Sequence, residues 1–391
     1  MPEEIYTTLT KTFTEKFGQA PAHRFFSPGR INLIGEHTDY NGGYVFPAAI
    51  TLGTYGVAAN RTDNLVKLYS LNFADQGVIE FDINDTNHLP HGSWGNFVKG
   101  VIIAMRGFMN EFDHGFELVI SGDLPNASGL SSSSSLELLI GVVLKRLFNL
   151  PIPRLQMVVS GQLAENGFVG VNTGIMDQFA VGFGEKDKAI YMDANSLDYQ
   201  MVPVELGDYV IVIMNTNKRR ELADSKYNER VAQTQEALHR LQQKFDIVAL
   251  GKIDPATFDA NTALIGDEIL IKRARHAVYE NERTKEAVSI LKAGDLVEFG
   301  KLLNASHESL KTDYAVTGIE LDTLAETAQQ VPGCLGARMT GAGFGGTAIA
   351  LVHKDAVEEL EKTVGERYTT VVGYAPSFYV ASIGDGAKAL D

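Results

Sequence analysis

A run of small residues, Pro125-Asn126-Ala127-Ser128-Gly129-Leu130-Ser131-Ser132-Ser133-Ser134-Ser135, joins two segments of different character. Before it, the alternating Phe116, Leu118 and Ile120 predict a half-buried strand, and after it the apolar stretch 136–148 predicts a buried helix. The small residues therefore occupy a helix N-terminus, where free backbone N–H groups and the positive end of the helix dipole favour an anion. The sequence predicts a phosphate site here, with a nucleotide as the candidate ligand.

A flexible linker is the competing interpretation of this run, because serine-rich segments are usually solvated. A linker does not normally lead straight into a continuous apolar helix such as 136–148. The spacing also differs from the GxxxxGK[ST] pattern of a P-loop, since no lysine follows the serines. We therefore expect a phosphate site that is not a Walker A loop.

The composition is typical of a folded protein with an acidic surface. A chain of 391 residues exceeds what one hydrophobic core usually supports, so we expect two domains with a ligand cleft between them. Lysine plus arginine number 34 against 49 acidic residues, which gives a net charge of −15. This charge argues against nucleic acid and anionic membranes as partners.

Cysteine content and hydropathy indicate a cytoplasmic location. The single Cys334 excludes an intrachain disulfide, and we expect it to be a small buried hydrophobic residue. The N-terminus lacks the basic and apolar regions of a secretory signal. The longest apolar stretch, 136–148, is too short to span a bilayer and contains three charged side chains.

The order of predicted elements favours an α+β protein with a boundary near residue 206. Apolar spacing predicts helices over 5–17, 153–165, 221–245 and 277–291 and strands over 24–26, 50–58, 66–71, 115–120, 189–193, 209–214 and 347–352. Gly167, Gly170 and Gly174 predict a turn before the segment 175–183, so Asp177 is expected to face a cleft. We expect a first domain over 1–205 and a second over 206–391.

Two more glycine-bearing segments suggest ligand loops. The segment 336–346, GARMTGAGFGG, permits close backbone approach but by itself fits a tight structural turn equally well. The segment 28–47 places Glu36, His37 and Asp39 within four residues. Such a cluster suits a polyhydroxylated ligand, because each hydroxyl can be paired with a hydrogen-bonding side chain. A polar surface turn remains the alternative for this second segment.

In order and separation, these three segments resemble the signature motifs of galactokinases, which belong to the GHMP family of small-molecule kinases. The sequence PGRINLIGEHTDY in the first motif looks like the galactokinase branch rather than the mevalonate or homoserine branches. The resemblance implies ATP-dependent phosphorylation of the anomeric hydroxyl of galactose, which gives galactose 1-phosphate. With the acidic charge we expect no nucleic acid or membrane partner, and an obligate protein partner is not indicated. It also implies a mixed-sheet N-terminal domain and an α+β C-terminal domain, with the active site between them.

The resemblance also implies roles for individual residues. Asp177 matches the proposed general base, and Arg30 matches the arginine that holds this carboxylate and the transferring phosphoryl group. The implied sugar contacts are Glu36, His37, Thr38, Asp39, Gly174 and Tyr227. The implied nucleotide contacts are Ser70, Ala127, Ser128, Gly129, Leu130, Ser131, Ser132, Ser133, Gly341 and Gly343, and the implied Mg²⁺ ligands are Ser133 and Glu165.

Physical chemistry is consistent with these implied roles. An anomeric hydroxyl is more acidic than an ordinary alcohol, so a nearby aspartate can accept its proton. An arginine beside Asp177 would offset the charge of the carboxylate and of the phosphoryl oxygens. Because phosphoryl-transfer transition states are often loose, positioning can matter more than deprotonation. Mg²⁺ keeps most of its waters and needs one or two protein oxygens.

Without the resemblance, several of these residues have ordinary explanations. Asp177 fits a helix-capping or surface carboxylate, Arg30 a surface ion pair and Glu165 an exposed acid at a helix end. The basic triplet 218–220 fits a solvated face. The chain departs from the family pattern at Ala127, where glycine is common, and at Ser134, where alanine is common, and both changes are small enough for the loop to admit a nucleotide.

Two alternative functions remain at this point. Some galactokinase relatives are sugar and ATP sensors that regulate transcription through a protein partner, although such relatives tend to lose residues from the serine loop. The second alternative is a kinase for another sugar, such as N-acetylgalactosamine or arabinose.

Overall fold

The computed structural model describes residues 2–108, 112–125, 129–171, 173–218 and 223–390. Ala127 and Ser128, two of the implied nucleotide contacts, lie outside these ranges, as do Arg219 and Arg220. The strands are β1 (His23–Asn32), β2 (Tyr44–Val45), β3 (Pro47–Asn60), β4 (Leu65–Ser70), β5 (Ile79–Asp82), β6 (Phe116–Gly122), β7 (Lys188–Asp193), β8 (Tyr199–Pro203), β9 (Tyr209–Asn215), β10 (Cys334–Thr340), β11 (Thr347–His353), β12 (Ser377–Ala381) and β13 (Lys388–Ala389).

The α-helices pack against the sheets and against one another. They are α1 (Pro2–Phe17), α2 (Gly95–Arg106), α3 (Ser132–Leu147), α4 (Arg154–Leu163), α5 (Met176–Phe183), α6 (Ala223–Leu241), α7 (Pro255–Asp259), α8 (Glu268–Lys292), α9 (Leu296–Ser309), α10 (Gly318–Ala328) and α11 (Val357–Val372). Two of the helices, α4 and α9, continue into wider π-helical turns, Ala164–Val169 and Leu310–Tyr314.

The first sheet is mixed and has helices on both faces. Its strand order is β13-β1-β3-β6-β4-β5, and its parallel pair is β4 with β6. Leu118 packs in a core cluster with residues of α2 and α3, whereas Val119 packs with residues of α1 on the opposite face. The predicted strand is present as β6, but its predicted half-burial is wrong, because α1 covers the face that would otherwise meet solvent.

The second sheet belongs to the later part of the chain and is antiparallel. Its order is β10-β11-β9-β12. Val212 and Met214 face a cluster that includes residues of α10 and α11, whereas Ile211 and Ile213 face a different cluster. A smaller antiparallel sheet has the order β2-β7-β8, and its first strand lies between β1 and β3 in sequence.

A hydrophobic cluster joins the two halves of the chain. It combines Ile31 and Ile34 from the first motif with Ile213 and Ile349 from the second sheet and Phe299 from α9. The C-terminal strand also crosses between the halves, since β13 pairs with β1 in the first sheet. The two halves thus pack through a continuous apolar interior.

Most elements that the sequence predicts are present with small shifts at their ends. The helix expected after the serine run begins inside the run, at Ser132, and α1 ends at Phe17, before Gly18, whose φ of +75° suits glycine. The predicted helix over 277–291 begins nine residues earlier, since α8 spans Glu268–Lys292. Pro153 precedes α4 rather than opening it. Among the described residues, no helix combines the length and apolarity needed to cross a bilayer.

Two side chains outside the motifs differ from their sequence-based interpretation. Cys334 is only partly buried at the start of β10, where burial raises the pKa of its thiol to about 11. Lys218 is not simply solvated, because its ammonium lies 2.9 Å from Glu320 Oε1. Neither residue lines the cavity that the three motifs form.

Candidate active site

The three glycine-bearing motifs meet around one cavity of about 300 Å³. The first motif, the serine run and the third motif each contribute to its wall, together with the turn before α5 and the start of α6. The lining residues are Arg30, Glu36, His37, Asp39, Gly129, Ser131, Ser132, Ser133, Glu165, Gly170, Val171, Thr173, Gly174, Met176, Asp177, Tyr227, Asn228, Gly341 and Ala342. The expectation that distant segments form a common site is confirmed.

Asp177 and Arg30 form a two-pronged ion pair on the cavity wall. Asp177 lies in the first turn of α5, and Arg30 lies on β1. Arg30 Nε donates to Asp177 Oδ1 at 2.8 Å and Nη2 donates to Oδ2 at 2.8 Å. The guanidinium is 5% exposed and the carboxylate 28% exposed. Such fork-like pairing fixes the orientation of a carboxylate as well as its charge.

The serine run is fastened to β1 on the side of the cavity next to Asp177. The backbone N–H of Arg30 donates to Leu130 O at 3.1 Å, and Arg30 Nη1 donates to Gly129 O at 2.6 Å. Ser131 Oγ donates to Asp177 Oδ2 at 2.5 Å. Helix α3 then begins at Ser132, so free N–H groups of its first turn lie at the cavity, as a phosphate site requires.

The third motif packs directly against the serine run. Gly341 has φ +86°, and a Cβ at this position would lie 3.0 Å from Gly129 O. Gly343 also has a left-handed φ and leaves no room for a side chain beside Val316 O. These glycines are therefore needed both for backbone conformation and for close approach.

Glu36 connects the first motif to the third. Its Oε1 accepts from the Gly341 backbone N–H at 2.8 Å and from Thr340 Oγ1 at 3.0 Å, and its Oε2 accepts from Asn32 Nδ2 at 2.9 Å. Arg338, which is fully buried, lies 3.4 Å from Oε1. Glu36 is 1% exposed, so protein groups already satisfy most of its acceptor capacity.

Burial keeps His37 neutral at the cavity, and two hydrogen bonds fix its ring. Its Nε2 lies 3.1 Å from Ala342 O and must carry the proton, so Nδ1 accepts from Tyr40 Oη at 2.8 Å. Tyr40 Oη lies 2.6 Å from Tyr314 Oη. Burial lowers the pKa of His37 to about 3, with help from the nearby His276. His37 therefore offers an uncharged ring surface to the cavity, because its N–H is committed to Ala342 O.

Asp39 is a partly buried carboxylate at the cavity. Burial raises its pKa to about 6, with smaller contributions from the charges of Asp177 and Glu36. A Cβ on residue 174 would overlap Asp39 Oδ2. The Asp39 carboxylate can occupy this position because Gly174 has no side chain. The ring of Tyr227 lies 5.7 Å from that of His37 and completes this end of the cavity. Burial raises the pKa of Tyr227 well above its usual value.

Glu165 and Ser133 meet at the other end of the cavity. Glu165 lies in the π-helical turn after α4, and the Ser133 hydroxyl hydrogen-bonds to its carboxylate. Gln178 Nε2 donates to Glu165 Oε2 at 2.6 Å and to Glu137 Oε2 at 3.0 Å. Burial raises the pKa of both carboxyls. A hydroxyl and a carboxylate at one point are hard oxygen donors, which fit Mg²⁺.

Four implied contact residues do not line the cavity, namely Thr38, Ser70, Leu130 and Gly343. Thr38 is fully buried with its hydroxyl against backbone oxygens of Gly35 and Tyr44. Leu130 is buried in the cluster that joins the two halves. Ser70 ends β4, and its buried hydroxyl has no hydrogen-bond partner within the described part of the chain.

Other residues at the site were not identified from the sequence. Thr173 and Asn228 line the cavity, while Gln178, Tyr40 and Tyr314 hold lining residues in place. Gln178 follows Asp177 in the sequence, and Tyr40 follows Asp39. This adjacency to motif residues is the one signal that could have identified them. Tyr314 lies far along the chain in a segment without a motif.

Comparison with known proteins relates the chain to sugar kinases along nearly its whole length. Residues 11–60 match the galactokinase galactose-binding signature, 96–185 the N-terminal domain of GHMP kinases and 287–370 the C-terminal domain of GHMP kinases. Galactokinase of Lactococcus lactis subsp. cremoris is 64% identical over 99% of this chain and 97% of that protein. Galactokinase of Streptococcus suis is 57% identical over 98% of each.

Solved structures give the same relationship. The crystal structure of Lactococcus lactis galactokinase complexed with galactose superposes with a TM-score of 0.96 at 62% identity, covering 98% of this chain and 99% of that one. Mevalonate kinase of Methanococcus jannaschii superposes with a TM-score of 0.69 at 18% identity, over 93% of this chain and 99% of that one. The second match shows the shared fold alone.

Proposed function

This chain belongs to the galactokinase family of the GHMP kinases, and from that membership we infer that it transfers the γ-phosphoryl group of ATP to the C1 hydroxyl of galactose. The observation that carries this inference is the cavity in which the GEHTDY motif and the serine run meet. A sugar held by the first and a nucleotide held by the second would have their reacting groups at Asp177 and Arg30.

We propose that Asp177 accepts the proton of the C1 hydroxyl and that Arg30 stabilises charge on the transferring phosphoryl group. The carboxylate is partly exposed in the cavity, whereas Arg30 is nearly buried behind it. A proton acceptor must lie within hydrogen-bond reach of the attacking hydroxyl. A fixed cation beside the reaction centre needs no reorganisation as charge moves onto the phosphoryl oxygens.

We propose that Asp39, His37, Gly174 and Tyr227 bind the sugar. Asp39 supplies carboxylate acceptors, His37 supplies a neutral ring, and Gly174 leaves the space in which Asp39 lies. Glu36 has few free acceptor positions, so we propose that it acts through its bonds to the third motif as much as by touching the sugar. Thr38 supports the turn rather than the ligand.

We propose that Ser133 and Glu165 hold Mg²⁺ and that the first turn of α3 receives the nucleotide phosphates. When bound, Mg²⁺ would offset negative charge on the phosphate oxygens. Gln178 keeps the Glu165 carboxylate oriented, and Gly129 with Gly341 lets backbone approach the phosphates. Ser132 lines the same end of the cavity.

We also propose the domain division 1–205 and 206–391 and a cytoplasmic location. The division is supported by the second sheet, whose strands all follow residue 206. The β13 strand is the part of the second segment that returns to the first sheet. The location is supported by the need for ATP as co-substrate.

Release of ADP across a panel of free sugars, with the phosphate position on the product determined by NMR, tests the proposed function. We expect turnover with galactose and a phosphate on C1. Faster turnover with N-acetylgalactosamine or arabinose would identify the alternative kinase. Absence of ADP at saturating galactose and Mg-ATP would favour the sugar-sensing regulator instead.

Asp177→Ala tests the catalytic assignment separately. We expect its kcat to fall by a factor of about 10² or more, because the proton acceptor is lost. Galactose binding, measured by calorimetry, should persist. Unchanged turnover in a coupled assay would show that Asp177 is not the base.

A further inference from the structure

Ser131 differs from the serines that follow it in both backbone conformation and side-chain partner. Its φ of +61° and ψ of +50° lie in the left-handed region, which residues other than glycine rarely adopt. It precedes α3 at the position where a serine hydroxyl usually accepts a bond from the first N–H groups of the helix, yet no such bond forms. The hydroxyl donates to Asp177 instead.

Because of this bond, the two carboxylate oxygens of Asp177 accept different numbers of hydrogen bonds. Each carboxylate oxygen offers about two acceptor positions. Oδ2 accepts from Arg30 Nη2 at 2.8 Å and from Ser131 Oγ at 2.5 Å, so both of its positions are taken. Among the residues that the structure describes, Oδ1 accepts only from Arg30 Nε, at 2.8 Å. Oδ1 therefore keeps a free acceptor position.

We propose that Ser131 is a positioning residue that directs the substrate proton to Oδ1 of Asp177. The inference rests on the proposed function and adds the oxygen that acts and the residue that selects it. As the C1 oxygen forms its bond to the γ-phosphorus, its proton moves to Oδ1. The bond from the γ-phosphorus to the bridging oxygen breaks, and ADP leaves with that electron pair.

The position of Ser131 in the chain links this role to the nucleotide. Ser132 begins α3, and Ser133 bonds to Glu165, so the segment that meets the phosphates is continuous with the one that holds Asp177. Gly129 O also accepts from Arg30 Nη1. A small movement of the serine run would therefore move Ser131 and Arg30, the two residues that hold the Asp177 carboxylate. The Ser131 hydroxyl is committed to the carboxylate and is not free to bind phosphate.

Ser131→Gly is the direct test, because glycine keeps the left-handed backbone and removes the hydroxyl. We expect kcat for galactose with Mg-ATP to fall at least about fivefold, with KM for each substrate within about threefold of the wild-type value. Ser131→Asn is the rescue variant, since asparagine tolerates this conformation and its amide can donate to Oδ2. We expect it to recover part of kcat.

Asn149→Gly is the matched control, because it introduces glycine at another left-handed residue, φ +49°, that does not line the cavity. We expect its kcat to be unchanged. A kcat for Ser131→Gly within fivefold of wild type, or a loss confined to KM for ATP, would overturn the inference, and the latter would make Ser131 a phosphate ligand. Wild-type protein that released no ADP with galactose would overturn the proposed function as well, which separates the two failures.

Discussion

At residue 174 there is no room for even one methyl group, because a Cβ there would overlap Asp39 Oδ2. We expect Gly174→Ala to displace the Asp39 carboxylate and to raise KM for galactose by about tenfold, an effect of roughly 1.4 kcal/mol. Steady-state kinetics with varied galactose would measure it. Gly167→Ala is the control, since a Cβ at this exposed glycine meets nothing within 4 Å. Equal KM values for both variants would contradict this reading of the contact.

Asp39 should make galactose binding depend on pH near 6. Its pKa is raised to about 6, so the unliganded protein binds this proton more tightly than the unfolded chain does. The free energy of unfolding therefore falls as pH rises from about 4 to about 6, where Asp39 ionises in the folded protein. Sugar hydroxyls that donate to the carboxylate favour its ionised form. We expect the Kd for galactose to rise as pH falls from 7 to 5.

Calorimetric titrations with galactose between pH 5 and pH 8 would measure this dependence. Asp39→Asn should bind more weakly and lose the step near pH 6. His37 cannot produce the step, because its pKa is lowered to about 3 and the ring stays neutral throughout. A pH profile that survives in Asp39→Asn would assign the step to another group.

Ser134 places a hydroxyl where the described residues offer it no partner. The residue is fully buried, and its Oγ has no hydrogen bond within the described residues. Burying an unpaired hydroxyl costs about 1–3 kcal/mol. We expect Ser134→Ala to raise the free energy of unfolding by about 1 kcal/mol in urea titrations. A loss of stability would mean that the hydroxyl has a partner, such as a bound water.

At the scale of single elements, the π-helical turn after α4 depends on a glycine in α2. A Cβ at Gly100 would lie 3.1 Å from Ala164 Cβ and 3.3 Å from Phe168 Cβ, both in the turn that carries Glu165. We expect Gly100→Val to push this turn away and to raise the Mg²⁺ concentration that gives half-maximal activity by severalfold. Activity measured across a Mg²⁺ series tests this expectation.

Gly141→Ala is the control for Gly100→Val. It also places a larger residue in a buried helix, but away from the turn that carries Glu165. A Cβ at Gly141 would lie 3.5 Å from Met157 Cβ, which is ordinary contact. Since alanine is favoured over glycine in helix interiors by roughly 1 kcal/mol, this variant should keep its Mg²⁺ requirement and gain stability. A Gly100→Val enzyme with an unchanged Mg²⁺ requirement would show that the turn tolerates displacement.

The elements with strong local signals were the ones that the sequence could predict. The serine run predicted the start of α3, since small polar residues before an apolar helix mark its N-terminus. Helix α2 was missed although its apolar residues follow the helical period, and the short strand β13 was missed because two residues are too few to show an alternation. The π-helical turn around Glu165 was also missed, because its wider winding depends on packing against α2 rather than on local residues.

In the site too, residues within a motif could be predicted from the sequence, whereas contacts between residues far apart in the chain could not. Motif residues Arg30, Asp39 and Asp177 were predicted because a recognisable pattern marks them, and all three line the cavity. The bond from Ser131 to Asp177 could not be predicted, since it joins residues 46 positions apart that no motif pairs with each other. The place of Tyr314 beneath His37 was hidden for the same reason, since only the folded chain brings the two together.

At the scale of the whole molecule, the two halves should unfold together. The cluster that joins them combines side chains of β1, of the second sheet and of α9 in one apolar interior. Large hydrophobic interfaces couple the stabilities of the parts that share them. We expect a single calorimetric transition whose calorimetric and van't Hoff enthalpies agree, and which galactose shifts as a whole. Two resolved transitions, with galactose moving one of them, would contradict this coupling.

The pairing of Phe26 with Lys388 has a consequence for biosynthesis. A ribosome that has made β1, β3 and β6 must still synthesise the entire second sheet before the strand that covers the β1 edge emerges. Until then this edge is open to pairing with another nascent chain. Closing so long a loop is slow. We therefore expect the first half of the chain to need chaperone protection during translation and to reach its final form only after release.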